Sequence, residues 1–484
     1  MIPFLGYTPD LDPATPGAIT DCVDILPTVK GMKGRPAPVN GGYAAFPSAV
    51  KGLAVLRILD GTRRVFAGTS SKLYELSGGV ATDRSRGGGY TLGAESRWSF
   101  GQFGNTTLAA AKDNVIQSSS PGFAFADISG APQAKFIATA SGFVMAANTT
   151  DATYGDQSDR WRCSGFQDAT AWTPSIATQS NTGRIVDSPG PITGLKALGD
   201  GFVLFKERAM WMGVYVGGDV VWQWNQISNE IGVADNGLAI DTGTAILFLG
   251  HDDFYLFDGT RPVAIGSAVR EWFYSRVNVA FSYRIQGAYD RVNACVWWCY
   301  PSRSSTDGSL DEALVYHVKS NKWGKCSLRV EALAEYRSAG ITWDQLGTLY
   351  ATWNDLPTNI AYDSPYWSAE APVLAYIDTT HTLQTLTGDA TTSSITTGNM
   401  GDDAMFSTVI DVRPRFTRAP TSSTADHLYD DDYGDIMTTG AKSTLADGKY
   451  DFLWSSRWHR FRFNFVGNHE MIGFTPKIAT DGEA

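Results

Sequence analysis

The sequence predicts an all-β chain: a β-propeller of six or seven degenerate blades, with an extended N-terminal arm and a C-terminal β domain. Three observations carry this. First, 43% of the 484 residues are apolar, only 18% are charged, and Gly (50) and aromatic residues are abundant. That mix suits strands joined by tight turns, because β-branched and aromatic side chains fill pleated surfaces while Gly supplies positive φ. It excludes disorder over most of the chain, and also a coiled coil, which is rich in Ala, Glu, Lys and Leu. Second, short apolar runs recur at intervals of 35 to 59 residues, starting near 65, 107, 142, 201, 245, 292 and 349. Third, a strictly alternating strand closes the chain. Length alone suggests about three domains at roughly 150 residues each, although all-β domains often run longer.

Residues 1–47 form the arm. Pro3, Pro9, Pro13, Pro16, Pro27, Pro36 and Pro38 crowd it, with Pro47 at its end, and strand interiors disfavour proline. A short strand is expected near Cys22–Leu26. Residues 48–378 carry the repeat, in which each apolar run is followed by a turn and an alternating partner. The partners lie at 72–76, 114–117, 209–212, 253–257, 314–318 and 374–377. Blades of four short strands have such periods, and stacking them around a channel covers sheet faces that no blade can bury alone. Evenly spaced hairpins of a multi-sheet sandwich are the competing reading. One short helix interrupts the strands, with Ser267 as cap and 268–274 as its body. Residues 379–484 form the second β domain. Its start, 378–404, is rich in Thr, Ser, Gly and Asp and reads as a long loop or exposed hairpin. Strands return at 406–412 and 457–465, where Phe461, Phe463 and Phe465 share one face and Trp458, Arg460 and Arg462 the other.

Chemistry is harder to find. The net charge is −11, whereas a protein that grips nucleic acid needs a basic face. No secretory signal is read at the start, and no apolar run approaches the 18 residues of a membrane-spanning helix. Five cysteines imply no disulfide framework. Cys295 and Cys299 sit about 13 Å apart along a strand, too far to share a metal, and read as small buried side chains. Zinc-protease, phosphate-loop and nucleophile-elbow motifs do not occur. Six scattered histidines (His251, His317, His381, His427, His459, His469) lack ligand spacing. Gly87-Gly88-Gly89 lacks the strand-to-helix setting of a phosphate cradle. Asp430, Asp431, Asp432 and Asp435, with Asp426, form an acidic cluster of the oxygen-ligand type that binds Ca²⁺ or Mg²⁺, though without the order of an EF-hand loop. Asp200, Asp252, Asp253, Asp258 and Asp290 are the carboxylates available to a propeller glycosidase, yet most adjoin glycine in turns. No catalytic residue and no cofactor is expected.

Four stretches carry a family resemblance. They are Phe4-Leu5-Gly6 through Asp21-Cys22-Val23-Asp24-Ile25-Leu26-Pro27; Asp159-Arg160-Trp161 through Ala171-Trp172; Leu247-Phe248-Leu249-Gly250-His251-Asp252-Asp253 through Asp258-Gly259, with Pro262 and Ile265-Gly266; and Arg457-Trp458-His459-Arg460-Phe461-Arg462. In pattern and order the chain resembles the tail nozzle proteins of short-tailed bacteriophages, also called tail tubular protein B or head-to-tail stabilisation proteins. The resemblance implies a virion tail subunit, made in the host cytoplasm, forming a homohexameric ring below the tail adaptor protein. The ring would extend the DNA ejection channel and hold tail fibres or a needle, without catalysis, cofactor or membrane insertion. Phe4, Leu5, Trp454, Trp458, Arg460 and Arg462 are the interface candidates. An acidic average charge fits a DNA conduit, since every phosphate contact adds friction; six copies carry 6 × −11 = −66. A propeller glycoside hydrolase, or a monomeric propeller that binds a glycan, is the alternative.

Overall fold

A computed structural model describes all residues except 338–345, 348–349, 351, 358–359, 361–371, 433–436 and 484, with backbone alone for 480–483. Seven four-stranded antiparallel blades follow one another around a ring. Blade one comprises Val50–Arg57, Arg63–Thr69, Leu73–Ser77 and Val80–Asp83. Blade two runs from Ser99–Phe103 to Ala126–Asp127, and blade three from Gln133–Ala140 to Asn181–Arg184. A Val115–Gln133 pairing fuses these two into one continuous sheet. Blades four, five and six begin with Ile192–Leu198, Ala239–Asp241 and Gln286–Asp290. Blade seven is Ala332–Arg337, Pro372–Ile377 and Leu383–Gly388, completed at its outer edge by Ala37–Asn40 from the other end of the chain. The first strand of every blade lies innermost, beside the first strands of its neighbours, and Ala332–Arg337 returns to Val50–Arg57. The chain is a seven-bladed β-propeller.

The apolar runs that reveal the repeat are the second strands of their blades, not the first. Thr106–Ala111, Phe143–Asp151, Gly201–Lys206 and Cys295–Tyr300 are almost wholly buried, because a neighbouring blade covers each of their faces. The innermost strands border the channel and mix polar with apolar residues, so periodicity does not expose them. The run expected at 349 does not begin a blade. Leu349 and Ala351 lie outside the described residues, and Trp353–Asp355 is a short 3₁₀ turn. The stretch 374–377, expected as an outer partner, is the second strand of blade seven.

The N-terminal segment differs most from expectation. It is not an arm along a surface: most of it is woven into the C-terminal domain as one β-sandwich. One sheet is ordered Tyr450–Ser456, Met405–Arg418, Glu470–Glu483, Met32–Gly34, Ile25–Pro27, with Ile2–Pro3 paired to Glu470–Glu483. The other is ordered Gly6–Tyr7, Ala18–Val23, Thr392–Thr397, Trp458–Val466, Ser422–Asp430, Thr438–Thr444. The prolines are accommodated because they fall at strand ends or outer edges, where no ladder N–H is required. Residues 378–404 are likewise strands rather than one loop: Leu383–Gly388 finishes the propeller and Thr392–Thr397 enters the sandwich.

The helix spans Arg270–Arg276, two residues later than the sequence suggests, and Ser267 does not cap it. Asp10 does so instead, its carboxylate accepting the N–H groups of Glu271 and Trp272 at 2.7 and 2.8 Å. Phe273 packs on Phe254 and Tyr300, while Trp272 meets Tyr7 edge-on at 5.1 Å. The helix thus rivets the sandwich to blades five and six.

Candidate functional site

The terminal candidates fall together in the sandwich but not on one surface. Phe4 is 1% exposed and packs on Phe474, so it is a core residue of its own chain and offers nothing to a neighbour. Leu5, adjacent, is exposed. Trp458 is also buried, its indole N–H donating to Asp403 at 3.0 Å. Trp454 is half-buried beside Tyr429. Arg460 donates to Asn399 at 2.8 Å, and Arg462 is exposed beyond Thr396. The expected alternation is present, since Phe461, Phe463 and Phe465 all point into the core. Of the six, Leu5, Trp454, Arg460 and Arg462 present surface to solvent.

The acidic cluster serves its own turn. Asp431 accepts the Ser456 hydroxyl at 2.8 Å, the N–H of Asp432 donates to Asp430, and Arg457 lies 3.9 Å from Asp432. Asp435 lies outside the described residues. Among the described residues, no group of three or more His, Cys, Asp or Glu side chains is placed to hold a metal ion. The glycosidase candidates also act locally. The Asp258 carboxylate accepts the Thr260 hydroxyl and N–H, which hold it below the usual range. Asp252 accepts the Tyr255 hydroxyl. Asp253 and Asp290 are buried, which raises both; Asp253 accepts the N–H of Phe254 and lies 3.8 Å from Arg270, and Asp290 accepts the N–H groups of Val292 and Asn293 in the turn that follows. Asp200 lies in an exposed turn. All five cysteines are free and buried.

Two surface features were not legible as sites. The first is a group of exposed apolar residues at the outer margin of blades three and four, Phe166 and Tyr215 on either side of Phe143 together with Ile176, Val216 and Val220, while Val214 points to the sheet face opposite Tyr215. Phe143 joins its halves, its ring 5.4 Å from both Phe166 and Tyr215. Most soluble monomers scatter such residues singly. The second is one mouth of the propeller channel, a cavity of about 620 Å³ into which the ends of innermost strands from blades one, four, five, six and seven converge. Five cations line it (Arg57, Arg63, Lys196, Arg291, Arg337) against two carboxylates, Asp241 and Glu335. Burial pushes Lys196 down to about 8, opposed in part by Asp241 and Asp235. The only advance signal would have been basic residues at innermost strand ends, and those strands carry no clear periodicity.

These features define a β-propeller whose last blade is completed by an N-terminal strand and whose companion sandwich is built from both ends of the chain. No protein-family model matches the chain, and no curated protein shows significant sequence similarity to it. Among solved structures it is similar to the WD40 domain of Neurospora crassa Pan2, at 7% identity and TM-score 0.39, covering 74% of this chain and 96% of that one. It is similar also to BBS1N in complex with ARL6DN, at 10% identity and TM-score 0.41, covering 74% and 97%. A computationally designed protein, Ika8, matches at 12% identity and TM-score 0.36, covering 73% and 99%. At these values the likeness goes no further than the propeller architecture.

Proposed function

We propose that the chain is a structural subunit of a phage tail nozzle: a non-catalytic homohexameric ring that continues the DNA passage below the tail adaptor and holds fibres or a needle. The observation that carries this reading is the exposed aromatic pair of Phe166 and Tyr215, which flank Phe143 at the margin of blades three and four. It overlaps one of the four stretches behind the resemblance, at Phe166, and a cyclic ring needs two different complementary surfaces on every subunit. Exposed Tyr side chains anchor such contacts well. The two terminal stretches support it in another way. Asp21, Thr396 and Arg462 are successive partners across one sheet, so both ends of the resemblance belong to the same sheet. Four of the five carboxylates that a glycosidase would use, Asp252, Asp253, Asp258 and Asp290, are engaged by neighbouring groups of their own chain, which favours a passive role over hydrolysis.

The test is the mass of the purified protein, alone and mixed with the adaptor ring, by multi-angle light scattering or native mass spectrometry. A species of six times the 52.4 kDa subunit mass is expected, and Phe166→Asp with Tyr215→Asp should return it to monomer. A protein that stays monomeric with and without the adaptor, or that cleaves polysaccharide, overturns the reading.

A further inference from the structure

The outer edges of the blades are protected with one exception. A sheet edge offers unpaired N–H and C=O groups to any passing strand, and natural proteins blunt it with short strands, prolines, charges or a cover. The outer strand of blade one is Val80–Asp83 and that of blade three Asn181–Arg184, each short and ending on a charge. Blade two closes on Ala126–Asp127 and blade five on Pro262–Ala264, two and three residues long. Blade six is covered by the N-terminal strands, and blade seven takes Ala37–Asn40, with Pro38, as its own edge. Blade four alone ends on a long bare strand, Val221–Ser228. Its eight residues, Val-Trp-Gln-Trp-Asn-Gln-Ile-Ser, hold no charge and no proline. Among the described residues, Ala209–Gly217 is its only partner in the sheet.

The strand is held ready for pairing. Trp222 packs on Phe143 and Phe202, and Trp224 on Trp161, which fixes one face against blade three. On the other face Gln223 and Asn225 are exposed, and the Gln223 amide donates to Asn225 Oδ1 at 3.3 Å. An edge already fixed in this way loses little freedom when a further strand adds to it. The same chain shows such an addition, since Ala37–Asn40 joins Leu383–Gly388 from the far end of the sequence. Charges stand only beyond the two ends of the bare strand, at Asp219 and Glu230, both exposed. Those two charges decide what can add. If two copies paired antiparallel with Val221 opposite Ser228, Asp219 of one copy would face Glu230 of the other. Like charges directly opposite are destabilising, so the edge disfavours a second copy of itself. It suits a strand whose own ends carry Lys or Arg.

We propose that Val221–Ser228 is a docking edge for an extended segment of another protein, uncharged over its middle and basic at both ends, which adds to the four strands of blade four as one more. The edge lies within one chain and stands whether or not the chain forms rings. Fluorescence anisotropy tests it on the full chain, with a labelled peptide of alternating Thr and Val that carries lysines at each end. Saturable binding is expected, weakening as salt rises. A twin peptide with glutamates in place of the lysines should bind severalfold more weakly. Asp219→Lys combined with Glu230→Lys should reverse that preference, and circular dichroism establishes that the variant is folded. Hydrogen exchange should show the peptide protecting the amides of Val221–Ser228 and of no other outer strand. Methylating alternate backbone nitrogens of the peptide, which removes its ladder donors, should abolish both effects. No saturation by the lysine peptide up to about 1 mM, or equal binding of the twins, overturns the proposal. So does protection of the strand that rises with protein concentration in the absence of peptide, the mark of a second copy.

Discussion

His427 is fully buried and surrounded by aromatic rings, those of Tyr429, Phe452, Trp454 and Phe461. Its Nε2 meets Nδ1 of His459 at 2.8 Å, and Nε2 of His459 in turn lies 3.1 Å from the Ser407 carbonyl oxygen and 3.0 Å from the Ser407 hydroxyl. Nδ1 of His427 has no hydrogen-bond partner among the rings. Protonating that nitrogen places an uncompensated charge in the core, and burial holds His427 down at about 4, with the neighbouring His459 adding to the effect. Burial depresses His469, stacked on Phe465, to about 4 as well. Since the unfolded chain takes up these protons near pH 6.5, stability is complete above that pH, declines as pH falls, and levels off below about 4. Each histidine contributes up to about 3 kcal/mol over that span. Thermal melts between pH 7 and 4 should show the decline, and His427→Phe should flatten part of it; an unchanged pH profile in that variant would rule the mechanism out.

At the level of elements, the helix shows what one distant carboxylate does. Arg270–Arg276 is too short to persist alone, and its first N–H groups are satisfied from residue 10. Asp10→Ala should cost about 1 kcal/mol, and it should also loosen the Tyr7–Trp272 contact. Asp10→Asn, which keeps an acceptor, should recover most of the loss in chemical denaturation. That capping partner lies more than 250 residues from the helix, beyond the reach of local pattern, whereas Ser267 was a plausible local choice. The same distinction divides the rest of the fold. Strands such as Gly201–Lys206 and Cys295–Tyr300 were legible because burial on both faces leaves an uninterrupted apolar run. Ala37–Asn40 was not, because its proline reads as a strand breaker until the strand is known to be the outer edge of blade seven, with Pro38 opposite Leu386. Among the interface candidates, Trp458 and Phe4 misled for a related reason: an aromatic residue in a terminal segment looks available, and only pairing between the two ends shows that it is covered.

For the whole molecule, the decisive fact is that residues 1–47 belong to both bodies, with Ala37–Asn40 in the propeller and the preceding strands in the sandwich. One apolar core runs continuously from Phe461 and Phe474 through Tyr7 to Trp323, Phe254 and Phe248. The two bodies should therefore melt together. The seam is the outer strand of blade six, Lys322–Val330, which the N-terminal strands cover instead of leaving as an open edge. Asp24 accepts the N–H of Ser327 at 2.9 Å and pairs with Arg35, and Lys325 reaches Asp21 at 2.6 Å. The approach is close only because position 324 is glycine: a Cβ there would sit 2.4 Å from the carbonyl oxygen of Ile25 and 2.7 Å from Cδ of Pro27. Backbone on the far side cannot yield without parting the strands, so Gly324→Val should drive the sandwich off blade six while leaving the rest of each body's own pairing intact. Scanning calorimetry should then resolve two transitions where the parent shows one, the lower belonging to the sandwich. Asp21→Ala, which removes only a partly exposed ion pair with Lys325 worth under about 1 kcal/mol, should keep the single transition. If Gly324→Val also melts in one step at the parent temperature, the seam does not couple the two bodies, and the shared N-terminal strands alone must hold them together.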